Sequence, residues 1–208
     1  PLPQGERESG CIRGTVVNQI MTTILVTGFG PFPGAPVNPT GPLVRALKRS
    51  ARPPGVKLAA HVFETGYAAV DRDLPKLIKR HKPDVLLMFG LATRARLLRV
   101  ETLARNVVSV RPDVGGKMLQ RHTIVPGAPA TMTMPAPTRA LLTALRKAQV
   151  PAWLSRDAGD YLCNYLCWRA TEAATRKNGP RMAAFIHIPP MRRGNKLTPD
   201  ALARAGGR

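Results

Sequence analysis

Aromatic residues make up only 5% of the 208-residue chain, carboxylates occupy only 12 positions, and there are three cysteines. So small an aromatic share leaves little material for stacking nucleic-acid bases. Three cysteines, the first at Cys11, cannot make a disulfide framework, so a reducing, cytoplasmic setting is the expectation. No apolar run approaches the ~20 residues that span a bilayer, and mean hydropathy is -0.12, which excludes a helical membrane protein. The first twenty residues mix acids with bases and hold no apolar core segment, so a secretory signal is not expected there. Hydrophobic residues still reach 44%, enough for a sizeable core and too many for a disordered basic tail.

Bases are abundant. Lys and Arg number 32 against 12 Asp and Glu, a formal charge of +20, and the pI is near 11.4. Such a charge invites a nucleic-acid reading. The bases are nevertheless scattered, with short clusters only at Arg94 to Arg99 and at Arg192-Arg193. No basic helix, zinc-finger spacing or aromatic ribonucleoprotein stripe accompanies them. An Arg-rich surface on an enzyme is favoured, with weak, salt-sensitive, nonspecific polyanion binding as its by-product. A basic nucleic-acid-binding module stays open as the rival.

Strand-like and helix-like segments alternate from Met21 onward. Residues 1–20 are expected to be a disordered or artefactual tail, and 21–208 one domain. Thr23 to Thr27 reads as a buried strand stopped by Gly28, and a Gly/Pro-rich loop from Phe29 to Pro39 follows. A helix is expected from Thr40 to Arg52, a strand from Val56 to Phe63, and a helix from Val70 to His81. Val85 to Phe89 is apolar throughout, the mark of a strand covered on both faces. Leu98 to Val110 is strand-like but irregular. Arg111 to Pro137 reads as a long excursion, of a length that usually carries function or covers a site. Helices over Thr138 to Ala148 and Asp160 to Lys177 alternate with strands over Ala152 to Ser155 and Met182 to Ile188. Leu197 to Ala205 starts a helix barely two turns long, short for a final layer. The pattern predicts a single-domain, three-layer α/β fold: a mainly parallel sheet with helices on both faces.

Few residues could do chemistry. Cys163 follows Gly159-Asp160, and with Asp160 as N-cap its thiol falls in the first helical turn, where free N–H groups and the dipole favour a thiolate. Cys167, one turn on, reads as a small core hydrophobe. His187 lies near the C-terminal end of an apolar strand, the edge where open α/β sheets place ligands. The 24 residues separating it from Cys163 fit helix, turn and strand, so the two could meet as nucleophile and base. A satisfied core histidine is the competing reading, and a zinc site from Cys163, Cys167 and His187 lacks a fourth ligand. Glu101, among apolar neighbours, either pairs with an arginine or orients another side chain. The loop after the first strand matches neither phosphate-binding pattern, and its prolines remove N–H donors. Phe29 and Phe32 there make either an apolar wall for a compact neutral ligand or ordinary core packing.

Together these segments resemble the pyroglutamyl-peptidase I family of cysteine peptidases. ILVTGFGPFPGAPVNPT is similar to its opening signature, FGLATRARLLRVETLARN to the segment leading to its glutamate, DAGDYLCNYLCW to its nucleophile segment, and AAFIHIPP to its histidine strand. The resemblance implies Cys163 as nucleophile, His187 as base and Glu101 as third member of the triad. It implies a pyroglutamate pocket walled by Phe29 and Phe32, with Asn38 from the loop and Tyr161 and Leu162 beside it. It further implies peptide substrates with an N-terminal pyroglutamate, a possible homotetramer, and no metal or organic cofactor. Leu91-Ala92-Thr93-Arg94 departs from the family's Gln-Ala-Gly-Gly, and the C-terminus looks truncated. A catalytically impaired homologue is therefore an alternative.

Overall fold

The computed structural model describes residues 21–190. The tail expected over 1–20 and the short helix expected over Leu197 to Ala205 lie outside the described residues. The elements run β1 (Thr22–Phe29), α1 (Thr40–Arg49), β2 (Val56–Phe63), α2 (Tyr67–His81), β3 (Val85–Leu91), β4 (Leu98–Glu101) and β5 (Leu103–Arg105). They continue with β6 (Thr131–Thr133), α3 (Thr138–Lys147), β7 (Ala152–Ser155), α4 (Leu162–Thr175) and β8 (Met182–Ile188). Six strands form one sheet in the order β2-β1-β3-β8-β4-β7, and β5 and β6 form a separate antiparallel pair. All pairings in the large sheet are parallel except that of β4 with β8.

Side chains alternate across the sheet and feed two cores. Leu25, Leu86, Phe185, Tyr165 and Trp168 are fully buried on the face covered by α2 and α4. Val26, Phe89 and Ile186 pack on the other face with Leu43 and Val44 of α1 and with Leu142 and Leu145 of α3. Burying each large apolar side chain contributes about 1.5–3 kcal/mol relative to leaving it in water, so the sheet's two apolar faces dictate the three layers. Among the described residues no helix is long and apolar enough to cross a membrane.

Several boundaries differ from the sequence reading. β1 does not stop at Gly28 but continues to Phe29. The position of Gly28 needs glycine because a Cβ there would meet the Thr40 carbonyl oxygen at 2.9 Å. α1 ends at Arg49, where the Ser50 N–H caps the carbonyl of Ala46. α2 starts earlier, at Tyr67, despite Pro75 within it. α4 begins at Leu162 after Tyr161, so Asp160 is not its N-cap. The Asp160 carboxylate instead pairs with Arg111 at 2.7 Å. The long excursion contains β6, which pairs with β5, and its Ile124 and Met134 are buried in the core under α4.

Candidate active site

One row of side chains crosses the C-terminal edge of the sheet. Phe63 is level with Phe29, and Phe29 and Gly90 each lie two residues beyond the paired Thr27 and Met88. Gly90 is level with His187, His187 with Arg99, and Arg99 with Trp153. In-register neighbours share a face, and this row faces the side covered by α4. Gly90 leaves a gap that Cys163 fills: a Cβ at this position would lie 2.7 Å from its sulfur and 2.6 Å from Cζ of Phe185. The thiol therefore sits directly over the central strand beside the histidine.

Cys163 is the second residue of α4, as the first-turn expectation required. The first helical hydrogen bond runs from Tyr165 N–H to the Tyr161 carbonyl at 2.9 Å. The N–H groups of Leu162, Cys163 and Asn164 thus precede the helical ladder and have no partner within it. Asn164 anchors this end of the helix. Its Oδ1 accepts the Arg105 N–H at 2.9 Å, and its Nδ2 donates to the carbonyls of Arg105 and Val107.

His187 is 5% exposed and Glu101 is fully buried. The histidine donates from Nδ1 to Oε1 of Glu101 at 2.8 Å. The carboxylate offers no proton, so that bond fixes the tautomer and leaves Nε2 for the sulfur. Burial alone would push the imidazolium pKa down. The charge and hydrogen bond of Cys163, joined by those of Glu101, outweigh it, and the value is raised to about 9. Two readings were open for Glu101, and in the structure its partner is His187, with no arginine in salt-bridge range among the described residues. Cys167 is fully buried, and burial, with the charges of Glu101 and Cys163, pushes its thiol well above the ordinary range. Among the described residues no group of three or more His, Cys, Asp or Glu side chains is placed to hold a metal ion.

A cavity of about 330 Å³ opens over this pair, within the range of small-ligand sites. Phe29, Phe32, Asn38, Tyr161 and Leu162 all line it together with Cys163 and His187. Glu101 lies behind the histidine. Asn38 is largely occupied within its own loop: Oδ1 accepts the Thr40 N–H at 3.1 Å, and Nδ2 donates to the Gly30 carbonyl at 2.9 Å. Thr65 donates to the same carbonyl at 3.1 Å, so the aromatic loop is pinned from two sides. From the long excursion Arg111 lines the cavity. Asp113 collects the N–H groups of Tyr67, Gly115 and Lys117, and the neighbouring Pro112 carbonyl accepts the Tyr161 hydroxyl at 2.9 Å. Gly90, Thr65, Arg99 and Arg111 were not singled out from the sequence. For Gly90 and Arg99 the signal is the register of the strands, which residue order alone does not carry; Thr65 and Arg111 lie on loops and are placed by tertiary packing.

Residues 22–200 match the model of the pyroglutamyl peptidase family. The chain belongs to that family. It is 33% identical over 172 residues to the pyrrolidone-carboxylate peptidase of Pyrococcus furiosus, covering 80% of each chain. It is 34% identical over 170 residues to pyrrolidone-carboxylate peptidase 1 of Ralstonia nicotianae, covering 81% of this chain and 79% of that one. The fold superposes on a mutant pyrrolidone carboxyl peptidase from P. furiosus with a TM-score of 0.81 at 27% identity, over 89% of this chain and 94% of that one. The pyrrolidone carboxyl peptidase of Thermococcus litoralis gives the same score and identity over 90% of each. Like other members of the pyroglutamyl peptidase family, then, this chain is a cysteine peptidase acting on peptides. In it the loop Leu91-Ala92-Thr93-Arg94 lines the cavity mouth.

Proposed function

We propose that this pyroglutamyl peptidase removes N-terminal pyroglutamyl residues through Cys163, His187 and Glu101. The observation that carries the assignment is a buried imidazole clamped at 2.8 Å to a buried carboxylate, in one cavity with a thiol at a helix start. His187 takes the Cys163 proton at Nε2, giving a thiolate–imidazolium pair. The thiolate attacks the pyroglutamyl carbonyl, and the tetrahedral oxyanion is met by the free N–H groups at the start of α4. Collapse transfers the His187 proton to the leaving amine, which departs as the shortened peptide. Water then gives a proton to His187, attacks the thioester, and releases pyroglutamate and the free thiol.

The lactam ring is flat and uncharged. Phe29 and Phe32 offer it an apolar wall, and no ion pair is needed to hold it. Polyanions bind only weakly and without sequence preference, as a consequence of the surface charge. The test is hydrolysis of a pyroglutamyl-amide reporter before and after iodoacetamide. Loss of turnover in step with carboxamidomethylation of Cys163 is expected. Undiminished turnover by protein fully alkylated at Cys163 would remove that thiol from the reaction.

A further inference from the structure

The row Phe29, Gly90, His187, Arg99 gives the cavity a direction. Strands lie about 4.8 Å apart, so the Phe29 wall on β1 is two strands from His187, while Arg99 on β4 is one strand away on the opposite side. The thiol sits over Gly90 between them. His187 must protonate the leaving amine, so the acyl part of the substrate lies toward β1. The residue after the scissile bond therefore passes over His187 toward β4.

The charge awaiting it there is unbalanced. Two carboxylates line the cavity, and both are taken: Asp160 by Arg111 at 2.7 Å and Asp157 by Arg105 at 2.9 Å. Two further arginines, Arg94 and Arg99, line it with no carboxylate in salt-bridge range among the described residues. Arg99 is the better placed. It is half-buried, its guanidinium lies 5.6 Å from the ring centre of Trp153, and its buried Nε has no hydrogen-bond partner. Stacking on an indole fixes the plane of a guanidinium and leaves its edge donors free, the arrangement that grips a carboxylate through two bonds.

We propose that Arg99 is a specificity residue that reads a carboxylate one residue beyond the scissile bond. This rests on the peptidase reading and adds the substrate class: pyroglutamyl peptides whose next residue is acidic, or whose next residue ends the chain in a free carboxylate.

The experiment compares kcat/KM for pyroglutamyl-Glu-amide and pyroglutamyl-Gln-amide, which differ in charge and not in shape. A second arm compares pyroglutamyl-Ala with a free and with an amidated C-terminus, and separates side-chain from chain-end recognition. The charged member should be favoured about tenfold in at least one arm, the scale of a charge-assisted hydrogen bond. Arg99→Gln should bring that ratio to about one and Arg99→Glu should invert it, whatever happens to absolute rates. Should those proteins fail to fold, the wild-type ratio must still fall severalfold as NaCl rises from about 0.05 to about 0.5 M. An active wild type with ratios near one in both arms overturns the proposal. So does a ratio that salt leaves unchanged, or one that survives in folded Arg99→Gln and disappears in Arg94→Gln. A wild type that cleaves no pyroglutamyl amide at all refutes the peptidase reading instead, a distinct outcome.

Discussion

Gly90→Ala probes the site through a single methyl group. The added carbon would lie 2.7 Å from the Cys163 sulfur and 2.6 and 2.9 Å from two ring carbons of Phe185. Ordinary contacts between such atoms are about 3.5–4.0 Å, so sulfur and ring must each retreat by about 1 Å. Phe185 is fully buried, and overpacking of this kind costs about 1–3 kcal/mol. A domain with stability in the usual range of about 5–15 kcal/mol stays folded at room temperature after that loss. Chemistry is less tolerant, since a misplacement of about 1 Å at a reacting group can cost about 10²-fold in rate. The expected result is a folded protein with a slightly lowered Tm and kcat/KM for a pyroglutamyl-amide reporter reduced about 100-fold. Circular dichroism and thermal unfolding establish the fold, and iodoacetamide labelling of Cys163 should slow alongside turnover. Gly90→Ala with wild-type fold and kcat/KM within about twofold of wild type would refute the seating of the sulfur over β3 as the geometry that matters.

Cys163→Ser should lower reporter turnover by at least about 10³-fold, since a hydroxyl beside the same imidazole is far harder to ionise. Cys167→Ala should cost about 1 kcal/mol of stability from its fully buried position and leave turnover near wild type; equal losses at both cysteines would contradict the division of roles. His187, raised to about 9, is protonated below that pH and neutral above it, so kcat/KM should decline as pH climbs through about 9 and the general acid is lost. Glu101→Gln keeps an acceptor for Nδ1 but removes the negative charge that raises the imidazolium pKa, so this alkaline limb should move to lower pH as kcat falls. A limb that stays in place would show that Glu101 does not tune the ring. Asp113→Ala removes the acceptor of three backbone N–H groups, and should cost about 2 kcal/mol and raise KM more than it lowers kcat.

Much of this fold was legible because local patterns and tertiary packing agree. Val56 to Phe63, Ala152 to Ser155 and Met182 to Ile188 were read as strands with the boundaries they have, each being a β-rich run bounded by turn residues. The three-layer architecture followed from the alternation of strands and helices. The pairing of Cys163 with His187 was legible as a spacing, because helix, turn and antiparallel return fix how far the chain travels. What stayed hidden depends on sequence-distant neighbours. Asp160 looks like an N-cap beside Gly159, but Arg111, 49 residues away, takes its carboxylate and the helix starts later. Asn38 lines the cavity as expected, yet its amide is occupied in holding Gly30 and Thr40. Gly90 and Arg99 acquire meaning only from sheet register, which brings residues of six strands to one level.

The single antiparallel pairing in the sheet explains why this site can hold a charge so far from water. In a parallel sheet every strand would present its C-terminal residues at the cavity edge. β4 runs the other way against β8, so its first half, with Arg99, reaches that edge beside His187, while Glu101 drops to the level of Phe185. Two residues along one strand thereby divide two tasks. The arginine stays half in solvent, where a substrate group can reach it. The glutamate is fully buried under α4, where its Oε2 has no partner and only the His187 bond compensates Oε1. A buried carboxylate so incompletely satisfied costs several kcal/mol in isolation. That cost falls when the neighbouring ring is an imidazolium, because the low-dielectric surroundings strengthen the attraction between the opposite charges. Burial alone would discharge a lone histidine, and it is the flanking Cys163 and Glu101 that outweigh it and favour the charged ring.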